Sequence, residues 1–598
     1  MDINYKKTDN QKLFKSLAEN PAFGIVEPQN YIPLYNTFFS LSPANSGTIN
    51  LNNKWQLQSL ISQDSPNIYN CTIKEGCKKD GKEKKKVYLK FSPLLDPLKY
   101  LIGKYDITDP KLLNLPAFES EESHAKTRDV NNSAYVDSFF TYLSSKLLHD
   151  YGFVHGLDFY GSFLALKTDF RINIIDDIDY LAESAFFKRN DKVLYELEDG
   201  DYDELNSDTR NYRKKLVFDT DTPDEPVLEL NVLDEMHVEA INAVDINAVD
   251  IDIVDINAVD LNDIVCKNKS ESSSSSSHSS SSHSSSSHSS SRTGSCSSCS
   301  SNTDEEDDRS NSEAIDSEAI DSDGEAIDSD GEADNSDGED DRSDSEGDSD
   351  CSEEETLFAK IKKFPVQVIA LEHCESTLDS LIIHGTITND QWDSIVMQIL
   401  FSLITFQKTF GLTHNDLHTN NIMYIETAAK FLYYKFNHIY YKVPTFGKLF
   451  KIIDYGRAIY KFRGQTLCSD SYHADGDAAT QYNCEPYLND KKPRLEPNFS
   501  FDLCRLGCAL YDYLVDEPKS KIVQIMLDWV TDDKGRNILY KKNGDERYPD
   551  FKLYKMIART VKKHIPLDVL INTYFDKFIA TKKEMKNVMD IDEFPSFV

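Results

Sequence analysis

The sequence predicts an α+β fold in which a strand-rich part comes first and a helical part follows. Up to about residue 190, short segments alternate between apolar and polar residues, as half-buried strands do. After residue 372, apolar residues recur at spacings of three and four, the period of amphipathic helices. A low-complexity segment at 191–355 lies between two predicted strands, so we expect one folded part that this segment interrupts.

The predicted strands lie on both sides of the low-complexity segment. Residues 87–91 alternate as Val-Tyr-Leu-Lys-Phe, residues 163–166 form a second apolar run, and residues 366–371 form a third. The entropic cost of closing a loop grows only with the logarithm of its length, so a turn within one sheet tolerates a long insertion. We therefore expect the strands at 163–166 and 366–371 to belong to one sheet.

The helical segments carry start and stop signals. A capping box from Thr388 to Gln391 begins a helix that Gly411 ends. Two aromatic runs between 431 and 443 predict an added β-hairpin. Apolar spacing predicts further helices at 132–148, 501–514 and 520–530.

The segment 191–355 is strongly acidic. It holds 49 of the 102 acids and 10 of the 65 Lys and Arg residues, a net charge of −39, whereas the rest of the chain is nearly neutral. Its pentapeptide repeats, serine tract and serine–acid runs have too few apolar side chains to offset chain entropy, so we expect disorder. Two interpretations stay open: a solvated spacer, or a segment that is phosphorylated at serines such as Ser322, Ser329 and Ser336 or that binds basic partners.

Composition also bears on partners and location. The acidic segment would repel nucleic acid and membrane surfaces, so neither is an expected partner. The first residues are polar, and no run of about 18 apolar residues occurs, so we expect a cytoplasmic location. The cysteines lack the spacing of a zinc site, and Cys504 and Cys508 are interpreted as core residues one helical turn apart.

The residues that carry chemistry lie in two short motifs. His-Asn-Asp-Leu-His-Thr-Asn-Asn at 414–421 contains an acid, Asp416, and an amide five residues later, Asn421. Ile-Asp-Tyr-Gly at 453–456 adds a second acid, Asp454, before a glycine. These groups suit a phosphoryl-transfer site, which must orient a hydroxyl and hold magnesium on ATP.

These motifs resemble the protein-kinase superfamily. Residues 414–421 resemble the catalytic loop, 454–456 the metal-binding Asp-Phe-Gly, and 87–90 the strand that carries the ATP lysine. Residues 501–507 resemble the large-lobe helix whose aspartate braces the catalytic loop. The four matches occur in the family's order, which implies a two-lobed kinase-like fold with a small β-rich N-lobe and a large helical C-lobe.

The resemblance implies a division of the chain. It gives an N-terminal extension at 1–50, the first part of the N-lobe at 51–190, the disordered insert at 191–355, the end of the N-lobe with the hinge at 356–375, and the C-lobe at 376–598.

The resemblance also implies a role for each site residue, with ATP and Mg²⁺ as cofactors. Asp416 would orient the attacking hydroxyl, Asn421 and Asp454 would hold the metal, and Lys90 would neutralise phosphate charge. The remaining residues would bind or support the nucleotide: Asp137 as the helix acid that pairs with Lys90, Leu371 at the back of the pocket, Glu372 and Cys374 in the hinge whose backbone reads adenine, and Met423 under the adenine ring.

The chain departs from the family pattern at three places. Residues 55–86 lack the glycine-rich loop that covers the phosphates. Asp137 is one methylene shorter than the usual Glu, so the helix must sit closer; Glu119, Glu121 and Glu122 are alternative partners in a predicted loop. His418 stands where protein kinases usually have Lys.

Three functions stay open on the sequence. The first is an atypical serine/threonine protein kinase, most like those encoded by giant DNA viruses of amoebae, which would act on a protein substrate in the host cytoplasm or be packaged in the virion. The second is an inactive or weakly active pseudokinase scaffold. The third is a small-molecule kinase of the choline or aminoglycoside type, because His-Asn-Asp-Leu also opens that catalytic loop.

Overall fold

A computed structural model describes residues 1–8, 10–76, 81–198, 357–517 and 520–598. All of these residues belong to one compact unit. The strands concentrate in the first part of the chain and the long helices follow later, so the predicted α+β class is confirmed. Residues 199–355 of the predicted insert, which include Ser322, Ser329 and Ser336, lie outside the described ranges.

The strands of the described residues follow each other along the chain in numerical order. They are β1 (Tyr5–Lys7), β2 (Ile25–Gln29), β3 (Ile49–Leu51), β4 (Trp55–Ser65), β5 (Ile68–Glu75), β6 (Lys82–Pro93), β7 (Phe159–Asn173), β8 (Tyr195–Leu197), β9 (Phe358–Glu372), β10 (Ser376–Thr377), β11 (Ile422–Glu426), β12 (Phe431–Phe436), β13 (Ile439–Pro444), β14 (Lys448–Ile452), β15 (Ile459–Phe462), β16 (Gln465–Cys468) and β17 (Met589–Asp590).

The helices of the same residues are numbered in the same way. They are α1 (Gln11–Glu19), α2 (Tyr35–Phe38), α3 (Pro97–Leu101), α4 (Ala125–Arg128), α5 (Ser133–Tyr151), α6 (Ile178–Glu183), α7 (Ala185–Asn190), α8 (Leu378–His384), α9 (Asn389–Phe410), α10 (Phe501–Leu514), α11 (Lys521–Asp528), α12 (Lys552–Thr560) and α13 (Pro566–Leu570).

The largest sheet in the described part of the chain has seven antiparallel strands. Its order is β2-β7-β9-β6-β5-β4, and β8 pairs with β9 as well. The two strands on either side of the insert, β7 and β9, are hydrogen-bonded neighbours, which confirms that they share one sheet. The apolar residues of β9 are buried on both faces of the strand, as expected at the centre of a covered sheet.

Two parts of the chain extend this sheet beyond the predicted limits. β2 comes from the predicted N-terminal extension and adds an edge strand to β7. β8 lies within the predicted insert at 191–355, but Tyr195 is fully buried and its strand pairs with β9. The amide of Glu198 donates to the carbonyl of Phe358 at 2.9 Å, so the chain leaves and re-enters the sheet at neighbouring positions.

The helix α5 connects the sheet to the helical part. The side chain of Asn132 caps its first turn by accepting from Ala134 N, and Gly152 ends it at φ 72°. Nearly all of its residues are buried, because one side packs on the sheet and the other on the aromatic cluster of Phe406, Phe410 and Tyr455. The helix therefore occupies a fixed position between the two parts of the core.

The helical part follows the predicted pattern closely. Thr388 and Gln391 form the capping box of α9, and Gly411 ends that helix at φ 60°. α10 begins and ends where the sequence predicts, and β12 and β13 form the predicted hairpin. Cys504 and Cys508 are buried in the core. Within the described residues, no helix combines the length and the apolar character needed to cross a membrane.

Candidate active site

Asp502 on α10 holds the loop between α9 and β11 through two hydrogen bonds. Both oxygens of this fully buried carboxylate are occupied: Oδ2 accepts from His414 N and Oδ1 from Asn415 N, each at 2.9 Å. Such charge-assisted bonds are stronger than neutral ones. α10 therefore fixes the start of the loop, the bracing role that the resemblance implies for this aspartate.

His414 connects this loop to the chain before Asp454. Its Nδ1 accepts from Asp416 N at 3.3 Å, and its Nε2 lies 2.9 Å from the carbonyl of Ile453. A carbonyl can only accept, so one neutral tautomer with the proton on Nε2 satisfies both contacts. His414 thus has a structural role, because it connects the loop of Asp416 to the chain that leads to Asp454.

Two residues of the site have left-handed backbones although neither is glycine. Asn415 has φ 66° and Asp454 has φ 64°. Each such residue costs roughly 1–3 kcal/mol and persists only where its surroundings enforce it. The side chain of Asn415 supplies that enforcement: its amide donates to Thr413 O and Arg457 O, and its Oδ1 accepts from the hydroxyl of Tyr482.

Lys90 joins the sheet, α5 and the second motif. Its Nζ lies 2.8 Å from Asp137 Oδ2 and 2.9 Å from Asp454 Oδ1. Burial lowers the pKa of Lys90, but the two carboxylates outweigh burial and raise it above its ordinary value. Lys90 and Asp137 meet as the sequence predicts, and the alternative partner Glu122 lies in an exposed loop with Lys111.

Asp137 also holds the second motif in place. Its Oδ1 accepts from the amide of Tyr455 at 2.8 Å, while its Oδ2 is bonded to Lys90. The short side chain of Asp137 therefore reaches both Lys90 and the backbone amide of the second motif, and these two contacts hold α5 close to the site. The aromatic ring of Tyr455 packs at 4.4 Å from that of Phe140, one turn further along α5.

Asp454 keeps one oxygen for a further ligand. Its Oδ1 accepts from Lys90 and from Gly456 N, and its Oδ2 has no hydrogen-bond partner among the described residues. Burial raises the pKa of Asp454, but the charge of Lys90 and the Gly456 amide outweigh it, and the pKa falls below its ordinary value. Asp454 is therefore a carboxylate at neutral pH.

Asn421 is oriented by its amide nitrogen. Nδ2 donates to Asp416 O at 2.9 Å and lies 3.0 Å from Nε2 of His418. Since an amide nitrogen only donates, Nε2 of His418 is the acceptor. This agrees with the pKa of His418, which burial lowers below its ordinary value. The amide oxygen of Asn421 has no hydrogen-bond partner in the described part of the chain, so it is available to a cation.

Asp416 is surrounded by cationic and hydroxyl groups. Its Oδ1 accepts from the hydroxyl of Tyr554 at 2.8 Å. Burial raises the pKa of Asp416, but the charges of Arg457, His418 and Arg505 and the tyrosine hydrogen bond outweigh it and lower the pKa. Asp416 is thus ionised, the state that a group accepting a proton requires.

One cavity of about 860 Å³ brings together Lys90, Asp137, Asp416 and Asp454. This volume lies in the range of small-molecule sites. The end of β4 and the turn that follows it, residues 63–67, border the cavity, so this glycine-free segment is where a phosphate-covering loop would lie. At the other end the cavity follows the outer halves of β7 and β9 to Glu198 and Lys360.

The residues predicted to bind adenine do not border this cavity, yet they lie beside it. Lys90 pairs with Ile369, and Leu371 is two residues further along β9 on the same face. Leu371 is buried, and Met423 is half-buried on β11. Cys374 is buried, and its backbone N–H and C=O make no hydrogen bond to another described residue.

The side chain of Glu372 has a structural role that the sequence does not predict. Its Oε1 accepts from Asp158 N at 2.8 Å and forms a buried ion pair with Lys451. Lys451 also donates to Gly156 O at 2.8 Å. The pair links the end of β9 to β14, so the predicted hinge is tied to the strand that leads to Asp454.

A metal at this site would need ligands from a bound nucleotide. The described residues contain no group of three or more His, Cys, Asp or Glu side chains placed to hold a metal ion. Mg²⁺ is usually bound by one or two protein oxygens together with phosphate oxygens and water. The unpartnered oxygens of Asn421 and Asp454 fit that pattern.

Three functional neighbours of the site were not predicted. Tyr554 and Arg505 surround Asp416, and Asp470 holds the N-terminus of α5 by accepting from Ser133 N at 3.1 Å. These residues are up to 344 positions from their partners, and neither Tyr554 nor Asp470 lies in a motif. The one available signal is for Arg505, three residues after Asp502 on the predicted helix, which places both on the same face.

Comparison of the chain with protein-family models and with curated protein sequences finds no match.

Proposed function

We propose that the chain is an ATP- and Mg²⁺-dependent phosphotransferase, an atypical serine/threonine protein kinase with the two-lobed kinase fold. The observation that carries the proposal is the Lys90 ammonium held between Asp137 and Asp454 at 2.8 and 2.9 Å, in the same cavity as Asp416. In protein kinases a strand lysine paired with a helix acid, together with a metal-binding aspartate, positions the phosphates of ATP.

The topology around this lysine supports the proposal. Lys90 lies on the third strand of the antiparallel unit β4–β5–β6, and its partner lies on α5, the first long helix after that unit. Protein kinases carry the ATP lysine on the third strand and its acid on the next helix. The β-rich part would then be the small lobe, and the part after Cys374 the large lobe.

The reaction needs a base, charge neutralisation and a metal. Mg²⁺ supplies charge stabilisation on the phosphates when the nucleotide is bound. The free oxygens of Asn421 and Asp454 would hold the metal, and Lys90 would contact phosphate. Asp416 would accept the proton of the acceptor hydroxyl. At the same time the hydroxyl oxygen would form a bond to the γ-phosphorus, and the bond from that phosphorus to the β–γ bridging oxygen would break.

A pseudokinase is the second candidate, and one observation favours it. The turn at 63–67 that borders the cavity has no glycine and carries the carboxylate of Asp64. That charge would oppose the phosphates, although Lys86 neutralises it at 2.7 Å. A scaffold of this kind would bind nucleotide weakly or not at all and would transfer no phosphate.

The test is incubation of the full chain with γ-labelled ATP and Mg²⁺ in the presence of mixed protein acceptors, with choline and an aminoglycoside as separate small acceptors. We expect label on serine and threonine of protein, and a loss of about 100-fold or more in Asp416→Ala. The control is Asp490→Ala. Asp490 is an exposed acid of the proposed large lobe, so this variant should retain activity.

Each alternative has its own outcome. Label on choline or the aminoglycoside alone would replace the protein-kinase proposal with a small-molecule kinase. Equal incorporation in the wild type and Asp416→Ala, or none with any acceptor, would contradict phosphotransfer by this site and leave the pseudokinase.

A further inference from the structure

Tyr554 is the residue that holds the carboxylate of Asp416. Its hydroxyl lies 2.8 Å from Asp416 Oδ1 and 2.9 Å from Arg505 Nε. All three side chains are buried, and they come from three different parts of the chain: α12, α10 and the loop before β11. The Arg505 guanidinium also lies over the Tyr554 ring, with its central carbon 5.2 Å from the ring centroid.

The direction of these hydrogen bonds is determined by their chemistry. A guanidinium can only donate, so the phenol oxygen accepts from Arg505. The hydroxyl has a single proton, which is then directed to Asp416. Burial raises the pKa of Tyr554 to about 12, so the hydroxyl keeps this proton at neutral pH.

The arrangement leaves the second oxygen of Asp416 available. Asp416 Oδ2 has no hydrogen-bond partner among the described residues, whereas Oδ1 is fixed by Tyr554. His418, another polar side chain of the loop, is bonded to Asn421, and no hydrogen bond joins it to Asp416 among the described residues. The rotation of the carboxylate is therefore restrained by Tyr554 alone within this part of the chain.

We propose that Tyr554, supported by Arg505, is the positioning residue for Asp416: it fixes Oδ1 so that Oδ2 points at the acceptor hydroxyl. The inference rests on the proposed phosphotransfer and adds a residue that none of the motifs contains. A competing role would have the opposite effect on the rate. If the Tyr554 hydroxyl instead occupied the place of the acceptor, removing it would open the site and increase the rate.

The first variant is Tyr554→Phe in the full chain, which removes one oxygen atom and keeps the ring. The kcat for phosphate transfer should fall by about tenfold or more, because a hydrogen bond to a charged group is lost. The KM for ATP should not change, since Tyr554 contacts none of the predicted nucleotide residues.

The pH profile gives a readout that a purely structural role would not move. Asp416 acts as the carboxylate, so activity is lost as the pH falls through its pKa. The groups that face it are Arg457, His418, Arg505 and Tyr554. Removing the hydroxyl takes away one group that lowers the pKa, so the acid limb of the kcat profile should move to higher pH.

Tyr574→Phe is the matched control. The hydroxyl of Tyr574 donates to the buried Asp393 at 2.7 Å, and Lys577 pairs with the same carboxylate, so the group types match those around Asp416. Asp393 lies on α9 and is not part of the cavity. This variant should lose stability to a similar degree while keeping the wild-type kcat and pH profile.

The outcomes separate the two proposals. Wild-type kcat in Tyr554→Phe, or a higher kcat, would overturn the positioning role and leave the proposed function intact. A wild type inactive with every acceptor would overturn both. If Tyr554→Phe does not fold, Arg505→Lys is the second variant, because it keeps the charge but removes the Nε donor. We expect a smaller fall in kcat for this variant and an unchanged KM for ATP. An unchanged kcat in Arg505→Lys would contradict the inference.

Discussion

Lys90 shows how single residues make this site. Its ammonium is shared by two carboxylates, one on α5 and one after β14, so it ties together three elements distant in sequence. The Asp137 side chain is only 4% exposed, whereas those of Lys90 and Asp454 are 25% and 21% exposed. The lysine and Asp454 can therefore meet a ligand, while Asp137 supports them from the protein interior.

Asp137→Asn should break this support. The change leaves Lys90 with Asp454 as its remaining carboxylate partner, and the loss of one charge-assisted hydrogen bond at a buried position costs about 2 kcal/mol of unfolding free energy. We also expect kcat/KM for ATP to fall by about tenfold or more, because Lys90 loses the group that positions it. Urea unfolding and steady-state kinetics measure the two effects.

The control for this change lies on the same helix. Asp150→Asn removes the partner of Lys146, a pair at 2.7 Å in which the aspartate is 34% exposed. A pair one helical turn apart whose aspartate reaches solvent contributes about 0.5 kcal/mol or less. Equal losses of stability in the two variants would contradict the supporting role of Asp137.

The motif residues of the site can be predicted from the sequence, whereas the residues that surround them cannot. Lys90, Asp416, Asn421 and Asp454 are reached because local motifs mark them, and the structure brings three of them into one cavity. Tyr554 contacts Asp416 across 138 residues, and an amphipathic pattern on α12 cannot tell which hydroxyl faces a carboxylate. Such contacts depend on how helices pack, which a single sequence does not encode locally.

Among the elements, α5 and the segment after Asp454 depend on each other. Asp470, which follows β16, accepts from Ser133 N at 3.1 Å and pairs with Lys126, and its own amide donates to Asn131 O at 2.8 Å. A negative charge at a helix N-terminus is stabilising. The carboxylate therefore holds the start of the helix that carries Asp137.

Asp470→Asn should loosen this attachment. The buried pair with Lys126 is lost, which we expect to cost about 3 kcal/mol, and the amide hydrogens of the first turn of α5 should exchange faster. Hydrogen exchange with mass spectrometry measures this turn directly. Asp490→Asn, an exposed acid of the same segment, is the control; faster exchange in both variants, or in neither, would contradict the assignment.

Element boundaries were predictable where local signals exist. The capping box of α9, its terminal glycine and the alternating hairpin β12–β13 carry their structure in a few adjacent residues. β8 was not predicted, because three residues beside an acidic segment have no distinctive pattern. Its identity depends on pairing with β9, 162 to 166 positions further along the chain.

For the whole molecule, the decisive feature is the place where the insert joins the sheet. β8 and β9 pair antiparallel with Leu197 opposite Ala359, and Glu198 N donates to Phe358 O at 2.9 Å. The two ends are thus already at the spacing that a tight hairpin turn requires. We therefore expect the sheet to close without the sequence between them.

Replacing residues 199–356 with a short flexible linker of glycine and serine should leave the melting temperature and any phosphotransfer unchanged. A deletion that begins at residue 195 should be less stable, because it also removes the fully buried Tyr195, whose hydroxyl donates to Phe187 O at 2.7 Å. Differential scanning calorimetry of the two variants measures this difference. A large drop in melting temperature for the variant that lacks only residues 199–356 would show that the spacer interpretation is wrong.

The same junction offers a route to an optical sensor. Glu198 and Lys360 border the cavity that also contains Lys90 and Asp454. A fluorescent domain whose own termini lie close together could be spliced between the neighbouring strands without stretching either of them. Its emission would then show whether filling the cavity changes the structure at this junction.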